Sequence, residues 1–145
     1  MVNGPLTAAP PFAAVAHRSN PVTNLRLTDL KAFFSGSAKR WPHGTRIVLV
    51  ERDAAGDASR FLFERVLNTT PRDYQRHLAS IEFKGDEPIT LKILNSDAAA
   101  CKFVFNVPGA IAVVEAGSLK LPECGQVQTL RIEGKLPSDE GYRLR

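Results

Sequence analysis

The segment from Arg52 to Ser59 combines residue types that can bind an anion. It follows the apolar run RIVLV, and small residues at 54–56 precede a helix that we expect to begin at Asp57 or Ser59. Such a turn places free backbone N–H groups at a helix N-terminus, where they attract negative charge. Arg52 stands out among the arginines because its turn leads into this helix start. The spacing therefore indicates an oxyanion site, or the remnant of one.

Other kinds of chemistry find little support in the sequence. His17, His43 and His77 lie far apart, with no cysteine or carboxylate at the spacing of metal ligands. Cys101 and Cys124 form no C-x-x-C pair. The sequence contains no G-x-S-x-G nucleophile motif and no glycine-rich phosphate motif. We therefore predict that the protein is not an enzyme and uses neither a metal nor a cofactor.

Length and composition fit one globular domain. The chain has 145 residues, of which 43% are hydrophobic and 23% charged, enough for a substantial core. The net charge of +4 comes from scattered lysines and arginines, which favour anionic partners through long-range attraction. The sequence lacks a dense basic run with interleaved aromatics, the pattern that would suggest nucleic-acid binding. Its apolar stretches are all shorter than the ~20 residues of a membrane span. We expect neither nucleic acid nor a membrane span.

The cellular compartment is left open by the sequence. The first residues have no basic region and are interrupted by Pro10 and Pro11, so they are not predicted to be a signal peptide. The chain is then either cytosolic or a mature exported protein with an added initial Met. Cys101 and Cys124 leave the same choice open. In an exported protein they would form a disulfide that adds ~3 kcal/mol to the stability of the fold; otherwise they are two buried thiols.

Hydrophobic periodicity predicts alternating strands and helices. Strands are expected at 11–17, 45–51, 88–94, 110–116 and 127–134, and helices at 28–35, 57–67, 70–83 and 96–107. Thr28, Thr70 and Ser96 are the expected N-caps. Phe105 is expected to face the core, and Trp41 to brace its loop against the core. The alternation predicts an α/β domain with a central parallel or mixed sheet flanked by helices.

Three motifs, in order, resemble periplasmic phosphate-binding proteins, the substrate-binding subunits of phosphate ABC transporters. The first is N-P-V-x-x-L with a later glycine, from Asn20 to Gly36. The second is W-x-x-G-x-x-I-x-x-V-x-R, from Trp41 to Arg52. The third is P-G-A-I at 108–111, within NVPGAIAVVEAGSL. The resemblance extends over about residues 12–133.

The resemblance implies one lobe of a type II periplasmic-binding-protein-like fold. We predict a flexible segment at 1–11, the lobe at 12–134 and a polar, loose tail at 135–145. Full members of the family have two such lobes, which close on the ligand, and are about twice as long. Their first phosphate loop and their ligand-facing aspartate segment have no counterpart here.

The second phosphate loop of the family has an arginine followed by Ser-Gly-Thr at a helix start. Arg52 matches the arginine, whereas Gly56, Asp57 and Ala58 replace Ser-Gly-Thr, and Ser59 follows them. We expect Asp57 to cap its own helix and to repel an anion, since an N-cap side chain occupies the free N–H groups itself. These differences from the family's second phosphate loop imply weakened or lost phosphate binding.

The expected function is that of a non-enzymatic, solute-binding-like scaffold outside the cytoplasm that acts through protein contacts. A single lobe exposes the face that normally meets its twin, so a second copy or another protein is expected to cover it. One alternative is a genuine receptor for phosphate or another oxyanion that works as a dimer. The other is a cytosolic protein-interaction module without a ligand.

Overall fold

The computed structural model describes residues 11–53, 56–84 and 87–145, so most of the predicted N-terminal segment lies outside the described residues. The strands are β1 Phe12–Ala16, β2 Asn24–Leu25, β3 Val48–Arg52, β4 Thr90–Leu94, β5 Ala110–Glu115, β6 Gln128–Thr129 and β7 Arg131–Ile132. The helices are α1 Leu27–Phe34, α2 Asp57–Phe61, α3 Pro71–Phe83 and α4 Asp97–Asn106. A π-helical turn at Leu62–Val66 extends α2, and short 3₁₀ helices occupy Ala116–Lys120 and Pro122–Cys124.

The main sheet mixes parallel and antiparallel strands. Its order is β4-β3-β5-β1-β6, with β3 parallel to both β4 and β5. β1 runs antiparallel to β5 and β6. The predicted α/β class with a mixed central sheet is confirmed. The single strand predicted at 127–134 is instead two short strands, because the buried Leu130 separates β6 from β7, which pairs with β2 in a second sheet.

Helices cover both faces of the sheet. Leu49 and Ile111 point to the face covered by α1 and α2, whereas Val50 and Ala112 point to the face covered by α4. Trp41 is buried in the first of these cores, as predicted, and its indole N–H donates to the Gly109 carbonyl at 2.9 Å. A Cβ at Gly109 would lie 2.1 Å from the Arg46 carbonyl oxygen, so this close approach requires glycine.

Two of the three predicted helix caps are present. Thr70 and Ser96 accept hydrogen bonds from the backbone N–H groups of Asp73 and Ala99. Thr28 was the wrong choice for α1: Arg26 is the N-cap, because the Asp29 carboxylate reaches back to the Arg26 N–H at 2.9 Å.

The prediction for Phe105 is also wrong. Its side chain is partly exposed, and the guanidinium of Arg18 lies 5.6 Å from its ring centroid. The positions of α4 that face the core are Ala100, Cys101 and Val104. Phe105 falls just outside this apolar stripe, where a cation contacts its ring.

The C-terminal residues are packed rather than loose, which corrects the prediction for 135–145. Tyr142 and Leu144 are buried in the first core. The Phe12 N–H donates to the Leu144 carbonyl at 2.7 Å, and the Tyr142 hydroxyl donates to the Phe12 carbonyl at 2.6 Å. Two apolar side chains at alternate positions are enough to fasten an otherwise polar segment.

We expect Tyr142→Phe to lower the free energy of unfolding by about 1 kcal/mol, because it removes one buried hydrogen bond and keeps the ring. Urea denaturation measures this loss. Arg143→Gln is the matched control, since Arg143 is exposed and should change stability by less than ~0.5 kcal/mol. Equal stability of the two variants would show that the tail does not depend on this bond.

Candidate functional site

The candidate site lies where the three parallel strands end. β3 ends at Arg52, β4 at Leu94 and β5 at Glu115. α2, α4 and the first 3₁₀ helix begin within a few residues of these ends. Ligands of open α/β sheets bind at this edge, since the strand ends and helix N-termini meet there. The topology therefore places Arg52 and the start of α2 on the edge of the sheet that commonly carries function.

Arg52 is engaged by partners within the chain. Its Nη1 lies 2.5 Å from Oδ1 of Asp97, and its Nη2 donates to the Asn95 carbonyl at 3.2 Å. Oδ1 of Asp53 lies 3.5 Å from the same Nη2. Only 16% of the Arg52 side chain is exposed. The guanidinium charge is therefore neutralised at the sheet edge.

Asp97 connects the ends of all three strands. It is the first residue of α4 and its side chain is only 6% exposed. Its Oδ1 accepts a hydrogen bond from Nη1 of Arg52. Its Oδ2 accepts from the Glu115 N–H at 3.0 Å and from the Ser118 hydroxyl at 2.7 Å. Both carboxylate oxygens are thus occupied, and one of them is paired with Arg52.

The helix start after Arg52 differs from the prediction. Gly56 is the N-cap of α2, and no side chain of the described residues caps the helix, so the expected capping by Asp57 is wrong. Asp57 is the first helical residue, its side chain is 65% exposed, and its carboxylate lies 3.7 Å from Arg60. A glycine at the N-cap brings no side chain back to the N–H groups, which leaves Asp57 directed to solvent.

The five predicted site residues are only partly brought together. A Cβ at Gly56 would lie 3.2 Å from Nη2 of Arg52, so these two residues are adjacent. Ala58 and Ser59 are buried, and the Ser59 hydroxyl donates to the Arg52 carbonyl. Ser59 is therefore committed to the scaffold. The sequence reasoning missed Asp97 and Ser118, although an aspartate after the N-cap Ser96 and directly behind a strand was a usable signal.

Glu51, next to Arg52 on β3, is a buried carboxylic acid with altered acidity. It is 4% exposed, and the Tyr74 hydroxyl lies 2.5 Å from its Oε2. Burial raises the pKa of Glu51 to about 7, although the hydrogen bond from Tyr74 lowers it in part. Sequence analysis did not single out Glu51, because its burial depends on α3.

The structure joins Cys101 and Cys124 by a disulfide, one of the two alternatives that the sequence leaves open. The bond fastens the 3₁₀ helix at Pro122–Cys124 to α4, and both residues are buried. Among the residues that the structure describes, no three His, Cys, Asp or Glu side chains gather as metal ligands. In the same part of the chain, no helix is both long and apolar enough to cross a bilayer.

Comparison with known proteins identifies the fold. No protein-family model and no curated protein matches the sequence. Solved structures do match: PstS from Borrelia burgdorferi has a TM-score of 0.74 and 12% identity, with 93% of this chain and 54% of that chain covered. An ABC-type phosphate transport receptor from Vibrio cholerae has a TM-score of 0.67 and 20% identity, over 89% of this chain and 48% of that chain.

A phosphate binding protein from Stenotrophomonas maltophilia gives a TM-score of 0.59 at 15% identity, over 88% of this chain and 40% of that chain. This chain thus spans about half the length of the structures that it matches. The predicted resemblance is confirmed for the fold: the chain folds like one part of a phosphate-binding receptor.

Proposed function

We propose that this chain is a non-enzymatic, phosphate-receptor-like scaffold that binds phosphate weakly or not at all and acts through contacts with other proteins. The observation that carries the proposal is the Arg52–Asp97 pair at 2.5 Å. An oxyanion at this edge would have to displace a buried carboxylate that also holds Glu115 and Ser118. The gain from one guanidinium does not offset that loss, because an unpaired buried carboxylate is costly.

The site of action that we propose is outside the cytoplasm. A disulfide between Cys101 and Cys124 supports this location, because disulfides persist in oxidising compartments. The partner that we propose is a second copy or another protein that covers the sheet edge carrying Arg52. The resemblance to two-lobed receptors supports such a partner, since this chain matches about half of two of the solved structures.

A second candidate function is an oxyanion receptor assembled from two copies. Two observations favour it: α2 has no side-chain cap, and Nε of Arg52 is buried without a partner among residues 11–53, 56–84 and 87–145. Helix N–H groups and a guanidinium N–H are the donors that bind oxyanions. In this alternative, phosphate joins two Arg52 edges and promotes dimerisation.

Thermal unfolding with phosphate separates the two functions. At 10 mM phosphate, a site with a Kd of 0.1 mM would stabilise the protein by about 2.7 kcal/mol. This would raise Tm by several degrees in a chain of this length. We expect no shift beyond that of sulfate at equal ionic strength. A phosphate-specific rise in Tm, with a phosphate-dependent dimer in analytical ultracentrifugation, would instead support the receptor.

Asp57→Asn serves as the companion variant in this experiment. It removes an exposed carboxylate from the start of α2 but leaves Arg52 paired with Asp97. We expect phosphate binding to remain undetected in this variant. Binding that appears on this substitution would show that repulsion by Asp57, rather than neutralisation of Arg52, opposes the anion.

A further inference from the structure

The Tyr74 hydroxyl lies between two oxygen atoms. Oε2 of Glu51 is at 2.5 Å and the Phe34 carbonyl oxygen at 2.7 Å, and all three groups are buried. A tyrosine has one proton to donate, and an ionised carboxylate only accepts. If Glu51 is protonated, it donates to Tyr74 and Tyr74 donates to Phe34. If Glu51 is ionised, the Tyr74 hydroxyl can donate its single proton either to Glu51 or to the Phe34 carbonyl. The oxygen that is not chosen is then buried without this hydrogen bond.

This cluster attaches α3 to the rest of the lobe. Tyr74 is the buried residue of the helix Pro71–Phe83, and Phe83 at its end is 92% exposed. A second contact comes from His77, whose Nε2 donates to the Ser35 carbonyl at 2.8 Å on the exposed side. Both bonds satisfy carbonyl groups at the C-terminal end of α1, which otherwise lack helical partners.

Part of the surface beneath α3 is apolar, next to Glu51 and Arg52. β4 is the edge strand of the sheet, and its Leu91 and Ile93 line a cavity of about 80 Å³ together with Phe63 and Tyr74. Ile93 is 54% exposed even with α3 in place. Departure of α3 would therefore expose more of the apolar side chains of Leu91 and Ile93 on this edge strand.

We propose that the protonation of Glu51 controls the docking of α3, so that α3 is a cover on the β3–β4 edge that loosens as the solution becomes alkaline.

The direction follows from the two states of the carboxyl group. In the docked state burial raises the pKa of Glu51 from 4.5 to about 7. The docked form therefore holds its proton more tightly than the undocked form. Its stabilisation is complete below about pH 4.5 and is lost as the pH rises through about 7.

The charged groups on the elements around Glu51 do not replace Tyr74 as its partner. The guanidinium of Arg52 is turned to Asp97, and Asp73 is within ion-pair distance of Arg76 at 4.0 Å. Among the described residues, Glu51 takes part in no ion pair. The remaining charged or titratable side chains on these elements are Glu64 and Arg65 in the π-helical turn, Lys92 on β4, Lys31 and Asp29 on α1, and Arg72, His77 and Glu82 on α3.

Amide hydrogen exchange of the full chain tests the proposal. The readout is the protection factor of α3 at pH 5.5 and pH 8.5, corrected for the intrinsic exchange rate. We expect the protection of α3 in the unmodified protein to fall roughly thirtyfold between these pH values. In Glu51→Gln the protection of α3 should be the same at both pH values, because the amide donates to Tyr74 as the protonated acid does and does not ionise. His77 is unchanged in this variant, so an effect of the His77–Ser35 contact on α3 protection would still be seen in Glu51→Gln.

Glu82→Gln is the control, since it makes the same change at an exposed position of α3 and should behave like the unmodified protein. Equal protection at both pH values in the unmodified protein would overturn the proposal, as would a thirtyfold loss in Glu51→Gln. Should Glu51→Gln not fold, the carboxyl resonance of Glu51 in the unmodified chain decides. We expect it to titrate near pH 7, at the upper end of the range over which α3 protection falls, and a midpoint below pH 5 contradicts the proposal.

Discussion

Replacing Asp97 with alanine is expected to lower the free energy of unfolding by about 3–5 kcal/mol, because it leaves the charge of Arg52 buried without its partner. It also leaves the Glu115 N–H and the Ser118 hydroxyl without their acceptor. In a chain of this length the loss corresponds to a fall in Tm of roughly 10 °C. Urea unfolding and calorimetry measure the two quantities.

The control for this variant is Asp57→Ala. Asp57 is also the first residue of a helix that follows a strand, but its side chain is 65% exposed and lies 3.7 Å from Arg60. We expect a change of less than ~0.5 kcal/mol. A similar loss in both variants would mean that negative charge at a helix start, and not the buried pair, is responsible.

A double-mutant cycle with Arg52→Ala isolates the interaction between the two side chains. When both partners are removed, neither leaves an unpaired charge, so the double variant should be more stable than the sum of the single losses predicts. Single losses that add within ~0.5 kcal/mol would show that Arg52 and Asp97 contribute independently. In that case Arg52 would be available to an anion, and the proposed neutralisation would not hold.

Removing the disulfide is expected to have the second large effect. The double variant Cys101→Ala, Cys124→Ala should lose about 3 kcal/mol, because the unfolded chain is no longer restricted by the cross-link. Dithiothreitol should destabilise the unmodified protein by a similar amount and leave the double variant unchanged.

Thiol titration completes this experiment. The unmodified protein, unfolded in guanidinium without reductant, should show no free thiol, since its two cysteines form one disulfide. Two titratable thiols in protein isolated without reductant would contradict the bond and, with it, the support for an oxidising compartment.

Features that depend on neighbouring residues were predictable from the sequence. Thr70, Pro71 and Asp73 follow one another in the order that begins a helix, and α3 starts there. The apolar runs around Leu49 and Ile111 predicted the central strands, and motif order predicted the fold. The helix-start and strand signals are local and need no tertiary contacts to interpret, whereas the motif order is a pattern that extends from Asn20 to Ile111.

Features that depend on distant residues were not predictable. Arg52 and Asp97 are 45 positions apart, and no pattern near either one identifies the other as its partner. The burial of Glu51 depends on Tyr74, and the fixed position of Leu144 depends on the backbone of Phe12. The error on Asp57 has the same origin, because the cap was assigned by residue type, whereas the backbone placed Gly56 at that position.

The bonds between Phe12 and the last residues have a consequence for how this lobe can be joined to other sequences. Because Phe12 bonds to both Tyr142 and Leu144, the chain enters and leaves the lobe at neighbouring points. A polypeptide interrupted by this lobe would resume almost where it left off, the condition under which one domain is inserted into another or circularly permuted. Phe12 and Leu144 thus have the side-by-side placement that domain insertion and circular permutation require.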